Sequence, residues 1–157
     1  MAITHQSLSM LRLTAALGCG LMAGVFFAFS TFVMPALARL QPSQGIGAMQ
    51  SINITAINPF FMTALFGTAL ACLGLIGSVL FKWHQPSASY WVAGSLLYLV
   101  GTIGVTIAFN VPMNDALAVV KPDDGADLWA GYLTNWTLWN HVRTVSSLAA
   151  AALLMLA

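Results

Sequence analysis

Charge is what this chain lacks most. Of its 157 residues, 5 are Lys or Arg and 4 are Asp or Glu, 6% in all. A soluble domain carries roughly 25% charged residues, so these side chains cannot cover a globular surface in water. Hydrophobic residues make up 59% and mean hydropathy is +0.86, which leaves lipid as the solvent. The net charge of +1 provides no basic stripe for nucleic acid, and that class of partner is excluded. Cysteine is scarce too. Cys19 and Cys72 each sit in an apolar run and read as small packing residues, not as a disulfide framework or a metal site. No G-x-S-x-G elbow, H-E-x-x-H pair, P-loop or G-x-G-x-x-G occurs, so hydrolases, zinc peptidases and nucleotide enzymes have no support. The short alternating segments of a membrane barrel are missing as well.

What is present is four apolar runs, Leu13–Leu37, Phe60–Phe81, Tyr90–Phe109 and Leu138–Leu156. Each is near the roughly 20 residues that cross the hydrocarbon as a helix, where backbone groups must bond within their own segment. The expected fold is all-α: one domain over residues 1–157, a four-helix transmembrane bundle. The first run has Arg12 before it and Ala36-Leu-Ala38 after it, like a signal peptide. It is longer than the roughly 7–15 residues of a signal core, so it reads as a permanent helix. It carries Ala16, Gly20, Gly24 and Ala28 at a four-residue spacing, a helix-packing stripe. Gly94, Gly101 and Gly104 do the same for the third run.

Asn58-Pro59 supplies an N-cap and a first helical residue for the second helix. Before it, Ser43–Ile57 is too polar to span. Ile46, Met49, Asn53 and Ile57 recur there at helical spacing and predict a short interfacial or re-entrant helix capping the bundle. Lys82 to Ser87 reads as a turn with Lys82 and Trp83 at the membrane surface. Pro112 is expected to end the third helix, Lys121-Pro-Asp-Asp-Gly125 to turn, and Asp127 to begin a polar approach to the fourth. Both termini then share one side. Lys and Arg tie across the membrane once Arg143 is set aside, and the N-terminal amine near Arg12 tips the termini to the cytoplasm. In a bacterium this is the inner membrane.

Nearly all unusual polar residues gather at the opposite end: Arg39, Asn53, Asn58, Asn110, Asn114 and Asp115, then Trp129, Tyr132, Trp136, Asn140, His141 and Arg143. Lys82, His84 and the N-terminus lie at the other end. Ionisable groups inside a membrane are costly, which makes these functional candidates. At about 100° per residue, Asn140, Thr144 and Ser147 form one stripe of the fourth helix, with Thr137 and His141 on one flank and Arg143 on the other. Such a polar half-face points into the bundle.

Arg143 stays charged and needs a partner. That partner is Asp115 in a structural ion pair, or an anionic or phenolate group of a ligand. His141 is the residue type suited to general acid–base work, unless Thr137 or a backbone carbonyl satisfies it. Asn110 and Asn114 flank Pro112. They repair the backbone it breaks or line a pocket. Trp129, Tyr132, Trp136 and Trp139 form an interfacial belt or a slot for a flat aromatic ligand beside the cation. A channel would need polar residues through its full depth, and here they stop near one end.

Asn110-x-Pro-x-Asn114, followed by Trp129, Tyr132 and Trp136-x-x-Trp-Asn-His-x-Arg-Thr144, resembles the DUF1772 family of small four-helix membrane proteins. The end of the first run into Met34-Pro-Ala-Leu, and Asn58-Pro59, are similar too. That family includes the fungal anthrone oxygenases. The resemblance implies insertion of an oxygen atom from O2 at an activated anthrone carbon, with no metal or other cofactor, and a site at Asn110, Asn114, Asn140, His141 and Arg143. The combined expectation is His141 and Arg143 as catalytic residues, with Asp115, Trp129, Tyr132, Trp136 and the three Asn binding a small hydrophobic aromatic molecule. The expected surroundings are the lipid bilayer, with a second copy of the chain left open. The competing expectation is a non-catalytic membrane protein whose polar cluster is a structural latch or a lipid- or partner-binding site.

Overall fold

The computed structural model describes residues 5–79 and 87–156, and every regular element in them is helical. Helix α1 runs from His5 to Ala28, widens into a π-helical stretch at Phe29–Val33 and closes with an α-helical turn at Met34–Leu37. Helix α2 is Pro42–Ala56 and α3 is Pro59–Val79. Helix α4 starts at Ala88–Tyr98, passes through two π-helical stretches at Leu99–Gly104 and Thr106–Asn110, and continues as Val111–Ala118. A 3-10 turn at Pro122–Asp124 leads into α5, Ala126–Leu156.

Three stretches, Gln6–Leu37, Pro59–Val79 and Ala88–Ala118, are long and apolar enough to cross a membrane. The chain is an integral membrane protein. Helix α5 has 31 residues, but Asn140, His141 and Arg143 interrupt its apolar run and keep it outside that set.

The helix starts follow the sequence. Asn58 Oδ1 accepts the N–H of Phe61 at 3.0 Å and its amide donates to Thr55 O at 2.9 Å, so one side chain both ends α2 and caps α3. The segment before Asn58 is helical, over Pro42–Ala56. Ile46 and Met49 are buried beneath it, and Gln50 Nε2 donates to Leu117 O and Val120 O at 2.9 Å each, fastening α2 to the end of α4. Gly45 lets this happen: a Cβ there would lie 2.8 Å from the Trp129 ring.

Two expectations need correction. Pro112 does not end the third helix, which runs to Ala118. Proline lacks the N–H that would close an α-turn and its ring crowds the carbonyl four residues back. The widened Thr106–Asn110 turn just before it takes up that misfit. The Gly20 and Gly24 stripe does not pack against a neighbouring helix, since a Cβ at either would meet nothing within 4 Å. The glycines that do permit close approach include Gly101, where a Cβ would collide with Ser146 of α5. The expected turn at Lys82 lies outside the described residues, apart from its last residue, Ser87.

The interior falls into two parts. One joins α1, α3, α4 and α5 through Ala15, Cys19, Met22, Leu75, Trp91, Tyr98 and Leu154. Cys19 and Cys72 are free thiols inside it. The other gathers Met34, Leu37, Ile46, Met49, Leu117, Trp129, Tyr132 and Trp136 under α2. Between them α3 leaves α4: it packs on Ala88–Gly104 and then parts from it.

Candidate functional site

A cavity of about 850 Å³ occupies that gap. Its walls are apolar for the most part: Phe26 and Phe29 of α1, Phe61, Met62, Leu65 and Phe66 of α3, and Ile103, Ile107 and Val111 of α4. Helix α2 covers one end with Met49 to Ala56. The polar groups on the wall include Asn53, Asn58, Thr106, Asn114, Asp115, Asn140 and Arg143.

Arg143 is the unusual member. It is 6% exposed, and it lies 13 residues (156 − 143) before the end of α5, about 20 Å along the axis. Its Nη2 donates to Asn140 Oδ1 at 2.5 Å and its Nη1 to Thr106 Oγ1 at 3.3 Å. The guanidinium carbon sits 4.3 Å from the centre of the Phe26 ring and 5.2 Å from that of Trp136. Nε is buried without a partner among the described residues. The expected pairing with Asp115 is therefore not made, and neither Asn110 nor Asn114 holds the cation. Asp115 is exposed and lines the cavity. Two rings and two neutral oxygens surround a cation that no described carboxylate neutralises.

Asn140 is the post on which Arg143 rests. It is fully buried, and its amide donates to Phe26 O and Ser30 Oγ at 2.6 Å each while its oxygen receives Arg143. Ser30 lies in the Phe29–Val33 π-stretch, and Thr106 opens the Thr106–Asn110 one. Both widened turns thus border the Arg143 cluster, a common setting for functional sites. Thr106 also donates to Thr102 O at 2.7 Å, so its lone pairs are what it offers Arg143. Phe26, Ser30 and Thr106 were not singled out from the sequence. The available signal was a hydroxyl inside an apolar run, which is as often a neutral filler.

The remaining expected residues separate. Trp129, Tyr132 and Trp136 are buried and stacked, with ring centres 5.5 Å and 6.0 Å apart, so they form an internal ladder and not a lipid-facing belt. Tyr132 Oη and Trp136 Nε1 both donate to Asn114 Oδ1, at 2.8 and 2.9 Å. An indole N–H can only donate, so the Asn114 oxygen must face it and the NH₂ points away. Only Trp136 of the three reaches the large cavity. Trp139 stacks on Phe109 at 3.5 Å, outside it. Asn110 is buried, donates to Trp136 O at 3.3 Å and leaves its oxygen unpartnered among the described residues. It joins α4 to α5 and does not line the cavity.

His141 is a correction. It is exposed and absent from the cavity wall. It lies two positions before Arg143, roughly 200° of helix, so when Arg143 points inward His141 must point out. Among the described wall residues the ionisable side chains are Arg143 and Asp115 alone.

Fold and site together define a membrane-embedded helical protein with a deep, mostly apolar pocket carrying one cation. Residues 54–153 match the sequence family described as anthrone oxygenase, more than half of the chain, and the protein belongs to that family. No curated protein and no solved structure matches it.

Proposed function

We propose that this protein is a membrane oxygenase that binds a hydrophobic aromatic substrate of the anthrone type in the large cavity and lets it react with O2. The observation that carries this reading is Arg143, a buried cation on an apolar wall with no carboxylate beside it. A charge at membrane depth costs about 2.5–3.5 kcal/mol even on lenient scales. A site that keeps it unneutralised is suited to an anion that arrives, or forms, on a ligand.

An anthrone forms such an anion. Loss of a proton from its reactive carbon gives an enolate whose charge rests on the ring oxygen. In this reading Arg143, which bonds to Asn140 and Thr106 and lies against Phe26 and Trp136, holds that oxygen, and the two rings flank those of the substrate. The Asn114 amide is a second donor on the wall. Asp115 replaces His141 as the group to take the proton, being the carboxylate on that wall. The enolate carbon then passes electrons to O2 and bonds to it, and loss of water from the resulting hydroperoxide leaves a ketone. One O2 converts the CH2 group to C=O plus water, with no further reductant.

In this reading α5 is a fourth span, the chain is a four-helix bundle capped by α2, and both termini face the cytoplasm of a cell whose inner membrane holds it. Reporter fusions to the two termini agree if so. The alternative of a non-catalytic latch draws on the bonds from Asn140 to α1, which tie two helices whatever the chemistry. Protein purified in nanodiscs and mixed with a simple anthrone decides. Oxygen uptake with matching quinone absorbance, above the rate of empty nanodiscs, is the expected result. Binding without oxygen uptake favours the latch or a pure binding site, and no binding removes both the substrate and the oxygenase reading.

A further inference from the structure

We infer that the natural ligand is a phenol-headed aromatic bearing a long apolar chain, and that it enters sideways from the lipid between α3 and α4. This rests on the reading of Arg143 as the holder of an aromatic oxyanion, and it specifies the substrate class further.

Volume is the first argument. A cavity of about 850 Å³ would hold some 28 waters at about 30 Å³ each. Three fused rings with their oxygens carry roughly sixteen heavy atoms, each needing less room than a water, so they fill at most about half of it. The second argument is the distribution of chemistry. Polar groups stand under α2 (Asn53, Asn58, Asn114 and Asp115) and around Arg143 (Thr106 and Asn140), while Leu65, Phe66 and Ile107 along the gap between α3 and α4 offer none. A head and a tail match that division, and a compact polar molecule does not.

The opening is the third argument. Beyond Gly104 the two helices part, and the lips of the gap are exposed: Phe66 is 50% and Ile107 62% accessible. Both lie within span-length helices, so the gap faces acyl chains and not water. A molecule already dissolved in the bilayer can enter head first and leave its chain between the lips.

The test uses single cysteines in a Cys19→Ala, Cys72→Ala background, reconstituted in nanodiscs. The probe is a hydroxynaphthalene carrying a ten-carbon chain that ends in an iodoacetamide. It should alkylate Phe66→Cys and Ile107→Cys at least fivefold faster than the exposed control positions Leu21→Cys and Leu148→Cys. An excess of chain-free hydroxynaphthalene should abolish that preference, as should adding Arg143→Gln. If the lips label no faster than the controls while calorimetry still detects the chain-free phenol, the tailed ligand is wrong and the aromatic site survives. If the phenol does not bind, both fall. Lip labelling that the phenol does not compete, or equal labelling by a fatty-acid-headed probe, identifies a plain acyl-chain groove and overturns the proposal. Native thiols already absent and an intact Leu148→Cys protein keep misfolding from imitating any of these results.

Discussion

The two halves of this bundle use the same helices for opposite purposes. In one half α3 and α4 lie together. Leu75 and Cys72 are 0% exposed, Tyr98 is equally buried, and its hydroxyl donates to Leu65 O at 3.0 Å. In the other half the same two helices separate, and the space holds Arg143 and a cavity wall of Phe, Met and Ile side chains. In lipid, helices gain little from hydrophobic burial and associate through close packing and polar ties. The first half obeys that rule. The second departs from it, and its departures coincide: two π-stretches, an unneutralised cation, a buried amide fixed by three bonds. A region that forgoes packing and also buries charge is organised around something other than stability.

The comparison is most exposed at Arg143. Arg143→Met keeps the length and removes the cation. If the polar half exists to hold an oxyanion, turnover of an anthrone falls by about 10²–10³-fold, the effect of losing one such donor. Stability moves by less than about 2 kcal/mol, because release of a costly buried charge opposes the loss of a donor to Asn140 Oδ1. Rates and thermal unfolding measured on the same preparation read both. Turnover within threefold of the parent would show that the cation serves the fold, and the two halves would then differ in composition but not in role.

A second contrast tests packing directly. Leu75→Ala in the close-packed half leaves a hole that neighbours fill only in part, and destabilisation of about 2–5 kcal/mol is expected. Ile107→Ala removes a similar volume from a residue 62% exposed at the cavity edge, and the cost should stay below about 1 kcal/mol. Comparable losses at the two sites would mean that the gap is closed in the working protein.

The helices were more legible in the sequence than the site. Long apolar runs, Asn58-Pro59 and the helical spacing of Ile46 and Met49 locate four of the helices and the cap, because hydropathy and capping are local properties. The site was legible only in part. Asn140 and Arg143 stand out since polar groups in an apolar run are rare. Their partners do not, because Ser30, Phe26 and Thr106 are ordinary residues that only the packing of α1 and α4 against α5 brings there. Arg143 bonds instead to Asn140, three residues back on the same helix, while Asp115 stays exposed. The π-stretches carry no signature at all, and they alone explain how α4 continues through Pro112. The inward stripe of α5 is not centred on Asn140. The buried set Trp129, Tyr132, Trp136, Asn140, Arg143 and Ser147 places its centre nearer Arg143, and that turn of the helix is what carries His141 outside.

His141 is thus the finest discriminator between residue type and residue position. By residue type it is the obvious base, yet it projects away from the cavity. His141→Gln should leave stability within about 0.5 kcal/mol, as for an exposed position without special features. It should also leave anthrone turnover within about twofold, where loss of a general base costs roughly 10²–10⁴-fold. Asp115→Asn, on the wall, should show the larger fall. A collapse of turnover in well-folded His141→Gln, with Asp115→Asn unaffected, would mean that α5 turns by nearly half a revolution in the substrate complex. The Arg143 cluster would then have to break to allow it, since Asn140 cannot hold Phe26 O and Ser30 while the helix face rotates away.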